Sequence, residues 1–181
     1  MPLHGKVDGS SEFIPTGVHK ARCISVVDLG THKNKKNGIW LHKIMLESEM
    51  PEAKKPDGTC ITTGKICTLS MHHQSRLRRH IESWRSKVFT DQEAEEYDIF
   101  NLLDVPAIIN VTINNGKMFA RNIMPLKKSE CPERINDLSA FSLSAFDQKV
   151  FESLSKRLQS RIKESREYND MITEADDEYV N

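Results

Sequence analysis

The sequence predicts a small, mainly β domain with helices, followed by a C-terminal helix and an acidic tail. Three observations support this fold class. Three early segments are rich in β-branched residues, the next segment has apolar residues at helical spacing, and an Asn-Gly turn then joins two further β-rich segments. A chain of 181 residues has room for one sizeable core and an appendage, but not for two full domains.

The first three strands are predicted over residues 17–29, 39–50 and 60–71. Partial alternation in the first of them indicates a β-bulge. A basic turn separates the first two strands, and a Pro-Asp-Gly signal separates the second from the third. In the second strand Trp40 and Ile44 fall on the same face, because alternate residues of a strand point to the same side.

Helical spacing begins after Ser75, whose side chain can cap a helix. The apolar residues of this helix form one stripe: Leu77, Ile81 and Trp84. Thr90 begins a Thr-x-x-Glu capping box, which predicts a second, short acidic helix. Two further strands, over residues 106–113 and 118–126, are predicted to form a hairpin around Asn115-Gly116.

A polar connector leads from the hairpin to a predicted C-terminal helix. Apolar residues recur every four positions from 146 to 162, which predicts about five helical turns from Ala145 to roughly Arg166. This narrow stripe is compatible both with packing on the body and with self-association. Formation of a homo-oligomer is therefore one of two alternatives that the sequence leaves undecided. The residues beyond it have too few apolar groups to fold alone.

The predicted organisation therefore has four parts. They are a flexible lead-in over residues 1–16, a β domain over 17–128, the connector and C-terminal helix over 129–168, and an acidic disordered tail over 169–181. Five strands with a helix between the third and the fourth is the element order of the OB-fold, a five-stranded, partly open Greek-key barrel. The helix would plug the bottom of that barrel. An α+β sheet with helices on one face is the alternative that this order leaves open.

The formal net charge is zero, with 26 basic and 26 acidic residues, but the charges are segregated along the chain. Residues 17–87 carry 14 basic and 6 acidic side chains, and residues 105–128 carry 4 basic and no acidic ones. Residues 169–181 carry 5 acidic and no basic side chains. The two basic blocks indicate an anionic partner for the body, with solvated surface charge as the alternative.

Several classes of protein are disfavoured. The chain lacks a run of about eighteen apolar residues and an apolar signal core, so we expect no contact with a membrane. Four cysteines without a CxxC pair fit a reduced, cytoplasmic setting and no metal site. A metal-dependent nuclease needs clustered carboxylates, for which the body offers only Asp28, Glu47 and Glu49. We therefore expect neither an enzyme nor a cofactor.

Short pieces distributed along the chain carry a resemblance. They are Asp28-Leu29-Gly30-Thr31, Thr68-Leu69-Ser70, Ser75-x-Leu77-Arg78, Glu82-Ser83-Trp84-Arg85, Phe89-Thr90 with Glu93, Asn101-Leu102-Leu103, Asn110-Val111, Asn115-Gly116-Lys117 and Ile162-x-x-Ser165-x-Glu167-Tyr168. In order and spacing they resemble a family of small replication-associated proteins of tailed bacteriophages and prophages, over roughly residues 15–168. Members of that family are similar to single-stranded-DNA-binding proteins.

The resemblance implies an OB-fold that binds and protects single-stranded DNA without strong sequence preference, during DNA replication or recombination in the bacterial host cytoplasm. It also implies the absence of catalytic activity. Such proteins often have a Trp-Glu pair late in the second strand, where this chain has Ser48-Glu49. An aromatic stacking site is therefore not expected at that position. A protein-interaction adaptor that binds no nucleic acid is the alternative function.

Binding of a single strand requires cations for the phosphates and flat side chains for the bases. Candidate cations lie on the strands and in the basic turn: Lys20, Arg22, Lys33, Lys35, Lys36, Lys43, Lys65 and Arg121. Lys20 and Arg22 are two apart on one strand and so share a face. Trp40 and Phe119 are the candidates for base stacking, and each has a position in the core as its alternative.

The acidic C-terminal residues are predicted to bind a protein partner. Asp176, Asp177, Glu178 and Tyr179 resemble the acidic tails of single-strand-binding proteins, which recruit replication or recombination enzymes. The chain ends without a terminal Phe, so capture of a partner through that residue does not carry over. A purely solubilising tail is the alternative.

Overall fold

A computed structural model describes residues 16–178. It contains six strands: β1 Gly17–Lys33, β2 Trp40–Lys54, β3 Cys60–Thr68, β4 Pro106–Asn114, β5 Lys117–Pro125 and β6 Ser139–Phe141. It contains five α-helices: α1 Arg76–Arg85, α2 Asp91–Glu96, α3 Gln148–Ser153, α4 Lys156–Lys163 and α5 Arg166–Glu178. Two short 3-10 helices, Ile99–Leu102 and Lys128–Glu130, lie in the connections. None of the described helices is both long and apolar enough to cross a membrane.

The strands form one mainly antiparallel, open sheet in the order β3-β2-β1-β4-β5, with β6 paired in parallel to β1. One side of β1 pairs with β2 from Arg22 to Lys33. The other side pairs with β4 over residues 17–22 and with β6 over residues 25–27. The predicted β-bulge lies between Cys23 and Ser25, where β1 changes from one partner to the other. A bulge bends its strand, so the same edge of β1 can pair with β4 before the bulge and with β6 after it.

Helix α1 carries the predicted apolar stripe into the first core, because Leu77, Ile81 and Trp84 are all buried. The side chain of Ser75 caps the helix by accepting a hydrogen bond from the backbone N–H of Arg78. Trp84 donates its indole N–H to the carbonyl of Pro106 at 2.9 Å. The helix lies across the gap between the edge strands β3 and β5, where a cavity of only about 20 Å³ remains.

Two local predictions are confirmed in the next part of the chain. Thr90 and Glu93 form a capping box at the start of α2, with both reciprocal hydrogen bonds present. Asn115 and Gly116 have φ values of 50° and 70° and join β4 to β5. Positive φ at both central residues is what a two-residue type I′ hairpin requires.

A second core lies on the outer face of the sheet, which is the face opposite the first core. Its buried members come from β1, β6 and the C-terminal helices: Val27, Leu29, Phe141, Phe151, Leu154 and Ile162. The prediction of a single C-terminal helix over residues 145–166 is wrong, because two short helices, α3 and α4, take its place and α5 begins at its end. Asp147, Ser155 and Ser165 each accept backbone hydrogen bonds at a helix start and divide the segment. The breaks let the chain follow the sheet while its apolar residues still face β1.

The acidic segment also differs from its prediction. Residues 166–178 form α5, so the expected disordered tail is helical up to Glu178. Tyr168 explains this difference, because its ring stacks on Phe151 in the second core and attaches the first turn of the helix to the body. Strand β6, within the predicted polar connector, was not expected from the sequence. The predicted lead-in lies outside the described residues, apart from residue 16.

Candidate nucleic-acid interface

A groove runs along the outer face of β1, β2 and β3, between the sheet and α4. Its inner part has a volume of about 550 Å³. The sheet contributes Ile24, Ser25, Met45, Glu47, Thr62, Gly64 and Ile66, the connector contributes Asp137 and Ser139, and the C-terminal helices and their junction contribute Ser153, Leu154, Ser155, Arg157, Leu158 and Arg161. We call it the sheet–helix groove.

The groove continues into a second hollow of about 570 Å³ beside the basic turn. That hollow is lined by His32, Lys33, Lys35, Arg157, Ser160, Arg161 and Glu164. Arg157 and Arg161 line both parts, so the two hollows adjoin at these side chains. The two arginines are four residues apart and therefore lie on one face of α4. Two lysines and two arginines against one carboxylate make this outer part strongly cationic.

The cations of the outer part have no carboxylate partner among the described residues. Lys33, Lys35, Arg157 and Arg161 take part in none of the salt bridges that the described residues form. The Nε atom of Arg161 is buried without a hydrogen-bond partner in the described part of the chain. The Nε atom of Arg22 and one terminal nitrogen of Arg85, both outside the groove, are in the same situation. Because a buried donor without a partner is costly, an acceptor bound at Arg161 would relieve this cost.

Arg22 is not part of this interface, so its prediction as a DNA-binding residue is wrong. Its side chain is 5% exposed and forms an ion pair with Asp104 at 3.0 Å. A second nitrogen donates to the carbonyl of Pro132 at 3.1 Å. Burial would raise the pKa of Asp104, but the hydrogen bonds from Arg22 and Lys128 outweigh it and lower that pKa. Arg22 therefore attaches two connecting segments to β1.

The other two cations on β1 and β2 have different positions. Lys20 is exposed and lies opposite Ile108 of β4 in the register, on the half of β1 that the groove does not reach. Lys43 donates a hydrogen bond to the hydroxyl of Thr68 at 2.6 Å. It alternates in phase with Met45, so it lies on the same strand face as the groove floor. Lys43 is thus near the groove, and Lys20 is outside it.

Lys65 and Arg121 lie at the gap between β3 and β5, where both line the small cavity. The ammonium of Lys65 is 3.2 Å from Nδ1 of His80. Burial and the charge of Lys65 lower the pKa of His80 to about 4, so the imidazole is neutral and can accept this hydrogen bond. Arg121 lies over the ring of Phe119, which is 40% exposed. These residues form a separate group that does not line the groove.

Trp40 is an exposed aromatic residue beside the cationic part of the groove. Its side chain is 47% exposed, so the alternative of a core position is wrong. It pairs with Lys33 in the register of β1 and β2, and Lys36 is exposed in the turn that joins them. The guanidinium of Arg166 from α5 lies over the indole, 4.3 Å from its centroid. Of the predicted residues, Lys33 and Lys35 therefore line the groove, and Lys43 lies on the strand face of its floor. Trp40 and Lys36 lie next to Lys33 along the chain or in the register, outside the groove lining.

A polar cluster attaches α5 to the strands next to Trp40. We call it the α5 anchor: Asp28, Thr31, His42 and Glu167. Asp28 accepts a hydrogen bond of 2.6 Å from His42, which raises the pKa of His42 although burial opposes this. Burial would raise the pKa of Asp28, but the hydrogen bonds from His42 and from the backbone N–H groups of Gly30 and Leu143 lower it.

The three carboxylates considered for a nuclease lie at separate sites in the structure. Asp28 belongs to the α5 anchor, and Glu47 faces the groove. Glu49 is fully buried and accepts hydrogen bonds from the backbone N–H groups of Ile135 and Asn136, both at 2.9 Å. Within residues 16–178, no group of three or more His, Cys, Asp or Glu side chains could hold a metal ion.

Arg157 and Arg161 are the main residues that sequence reasoning missed. Their four-residue spacing shows in the sequence that both lie on one face of a helix. The prediction of one continuous helix did not show which face of that helix would meet the sheet. The predicted partner-binding residues Asp176, Asp177 and Glu178 are in the last turn of α5. Tyr179 lies outside the described residues.

No protein-family model, curated protein or solved structure matches this chain. The geometry of the groove, together with the resemblance seen in the sequence, therefore carries the functional argument.

Proposed function

We propose that the protein binds single-stranded DNA in the sheet–helix groove. The observation that carries this proposal is the set of unpaired cations at the outer part, above all Arg161 with its buried, unsatisfied Nε. Phosphate oxygens are the acceptors that such cations need, and counterion release would favour each contact. Because cations contact phosphates and not base edges, most of the affinity would be independent of sequence.

We further propose that the open sheet is an OB-fold barrel. In support, β1 pairs with both β2 and β4, and α1 spans the gap between β3 and β5. OB-folds bind oligonucleotides on the face of strands 2 and 3, beside the loop that joins strands 1 and 2. The groove has β2 and β3 in its floor and ends at that loop, with Lys33 and Lys35.

Trp40 supports the preference for a single strand. Stacking of a base on an exposed aromatic ring contributes about 1–3 kcal/mol and requires an unpaired base. In a duplex the base faces are already stacked, so Trp40 would gain little. In support, Trp40 pairs with Lys33 in the register, so a base stacked on Trp40 would lie near a phosphate bound at Lys33.

The biological role in this proposal follows the resemblance to phage replication proteins. The protein would bind and protect single-stranded DNA during phage DNA replication or recombination in the cytoplasm of the bacterial host. It would act by binding and without catalysis. The acidic end of α5, with Asp176, Asp177 and Glu178, would contact replication or recombination proteins.

The test is fluorescence anisotropy with a labelled single strand of about 20 nucleotides, at about 50 and 200 mM salt. We expect the affinity to fall steeply with salt, and a duplex of equal length to bind more weakly. The double variant Arg157→Glu/Arg161→Glu should lose at least about tenfold in affinity, because two phosphate contacts become repulsive. Arg76→Glu on α1 is the matched control, since it changes the charge outside the groove.

Equal losses in the groove variant and in the Arg76 control would reject the groove as the binding site. The adaptor is the second candidate, and the exposed apolar side chains of Ile113, Phe119 and Met124 on β4 and β5 favour it. It predicts indifference to single strands at every salt concentration. It also predicts that Phe119→Ser and Met124→Ser abolish the binding of a co-purifying protein.

A further inference from the structure

The two parts of the sheet–helix groove differ in charge. The outer part adds Lys33 and Lys35 to Arg157 and Arg161, whereas the inner part combines the same two arginines with the carboxylates of Glu47 and Asp137. A phosphate would be repelled from these carboxylates and attracted to Arg157 and Arg161 at the junction. A bound strand would therefore direct its backbone toward the junction and a base toward the inner part.

Glu47 is held in a fixed position on the groove floor. Its Oε1 atom accepts a hydrogen bond of 2.9 Å from the hydroxyl of Thr62 on β3. It forms no salt bridge with any residue of the described chain. An ionised carboxylate can only accept hydrogen bonds, so a ligand group that contacts it must be a donor.

The floor around Glu47 suits a flat, aromatic ligand. Met45 and Ile66, which pair with each other in the register of β2 and β3, provide apolar surface, and Gly64, which pairs with Glu47, has no side chain above the sheet. An added Cβ at Gly64 would meet only Met45, with Sδ at 3.6 Å, so the space above this residue is open. A volume of about 550 Å³ is within the range of small-ligand pockets and accommodates one nucleotide.

We propose that the inner part of the groove is a base pocket that selects bases with an exocyclic amino group over thymine. This inference rests on the proposed function and names its preferred substrate. The amino group of cytosine donates to a carboxylate such as Glu47. Thymine presents a carbonyl oxygen at the same place, and its single N–H is flanked by two carbonyls. The carboxylate of Glu47 and the thymine carbonyl are both hydrogen-bond acceptors, so they would face each other without a proton between them.

The test compares oligo(dC) with oligo(dT) of the same length by anisotropy at neutral pH and low salt. We expect the wild type to bind oligo(dC) about fivefold or more tightly, the lower end of what one good base contact supplies. Glu47→Gln should bring the two affinities to within about twofold, because an amide can donate to the thymine carbonyl. Thermal unfolding of Glu47→Gln verifies that the variant is folded.

Glu164→Gln is the matched control, since it removes a carboxylate from the outer part of the same groove. It should raise both affinities by the same factor and leave their ratio unchanged. Equal affinities of the wild type for the two oligonucleotides, each salt-dependent, would overturn the base pocket and leave the proposed function intact. Absence of binding to both would overturn the proposed function and the pocket together.

Discussion

The carboxylate of Glu167 in α5 accepts hydrogen bonds from both the backbone N–H and the hydroxyl of Thr31 in β1, with 2.7 Å from N to Oε2. The two residues are 136 positions apart in the sequence. This pair holds the first turn of α5 against the sheet, next to the contact between Arg166 and Trp40. One side of the candidate interface is therefore positioned by the C-terminal part of the chain.

Removal of either partner of this pair should destabilise the protein. Glu167→Gln and Thr31→Val should each cost about 1–2 kcal/mol of unfolding free energy, because a hydrogen bond to a charged group is lost. The double variant should cost clearly less than the sum of the two, which urea unfolding of all four proteins would show. Additive costs would mean that the two residues do not interact.

Stability should depend on pH through His42. The pKa of His42 is raised by its hydrogen bond to Asp28, with a further contribution from Glu167 at 3.8 Å. A raised folded-state pKa gives a contribution that is fully present below the unfolded value of about 6.5 and is lost as pH rises through the folded value. Asp28 and Glu167 have lowered pKa values, so their contribution is lost only under acidic conditions.

The stability difference between wild type and His42→Gln should therefore shrink as pH rises from about 6 to about 8.5. Thermal unfolding at both pH values measures this difference. His73→Gln is the control, because His73 is exposed in the turn before α1 and should show no such trend. A difference that grows with pH would contradict the assigned protonation of His42.

Gly30 is required where α5 begins. It has a φ of +73°, and an added Cβ would lie 2.5 Å from the Cβ of Ser165 and 2.7 Å from Cδ1 of Leu143. Gly30→Ala should cost more than about 2 kcal/mol, since it combines backbone strain with overpacking. Gly58→Ala is the matched control, because Gly58 also has positive φ but open space around it. It should cost only about 1 kcal/mol in urea unfolding.

Substitution of Arg22 and of Lys20 should differ in its effect on the stability of the protein. Arg22→Met removes the buried guanidinium that bonds Asp104 and the carbonyl of Pro132, while Asp104 keeps Lys128 and Arg134, and should cost about 2 kcal/mol in thermal or urea unfolding. Lys20→Met changes an exposed side chain and should leave stability within about 0.5 kcal/mol. An unchanged unfolding free energy for Arg22→Met would contradict the ion pair described above.

The parts of the fold that the sequence predicted well are those set by neighbouring residues. The stripe of α1, the capping box at Thr90 and the Asn115-Gly116 hairpin depend on spacings of one to seven residues. The breaks in the C-terminal helix were missed although their capping residues Asp147, Ser155 and Ser165 are local, because the four-residue apolar repeat continues across the breaks. Strand β6 has only three residues and exists through its pairing with Val26 and its neighbours.

The same distinction applies to the candidate interface. Lys33, Lys35 and Trp40 were found because a basic turn between two strands is a local feature. Arg22 was misassigned because its partner Asp104 is 82 residues away and nothing near Arg22 indicates it. Arg157 and Arg161 were missed because their role depends on which side of α4 meets the sheet.

The central position of β1 has a consequence for synthesis on the ribosome. This strand precedes its partners β4 and β6 and the helices that cover it in the chain. A nascent chain therefore carries an unsatisfied strand edge until β6, which ends at Phe141, has left the exit tunnel, and such distant pairings form slowly. Translation products that stop before residue 139 should accordingly aggregate or require a chaperone.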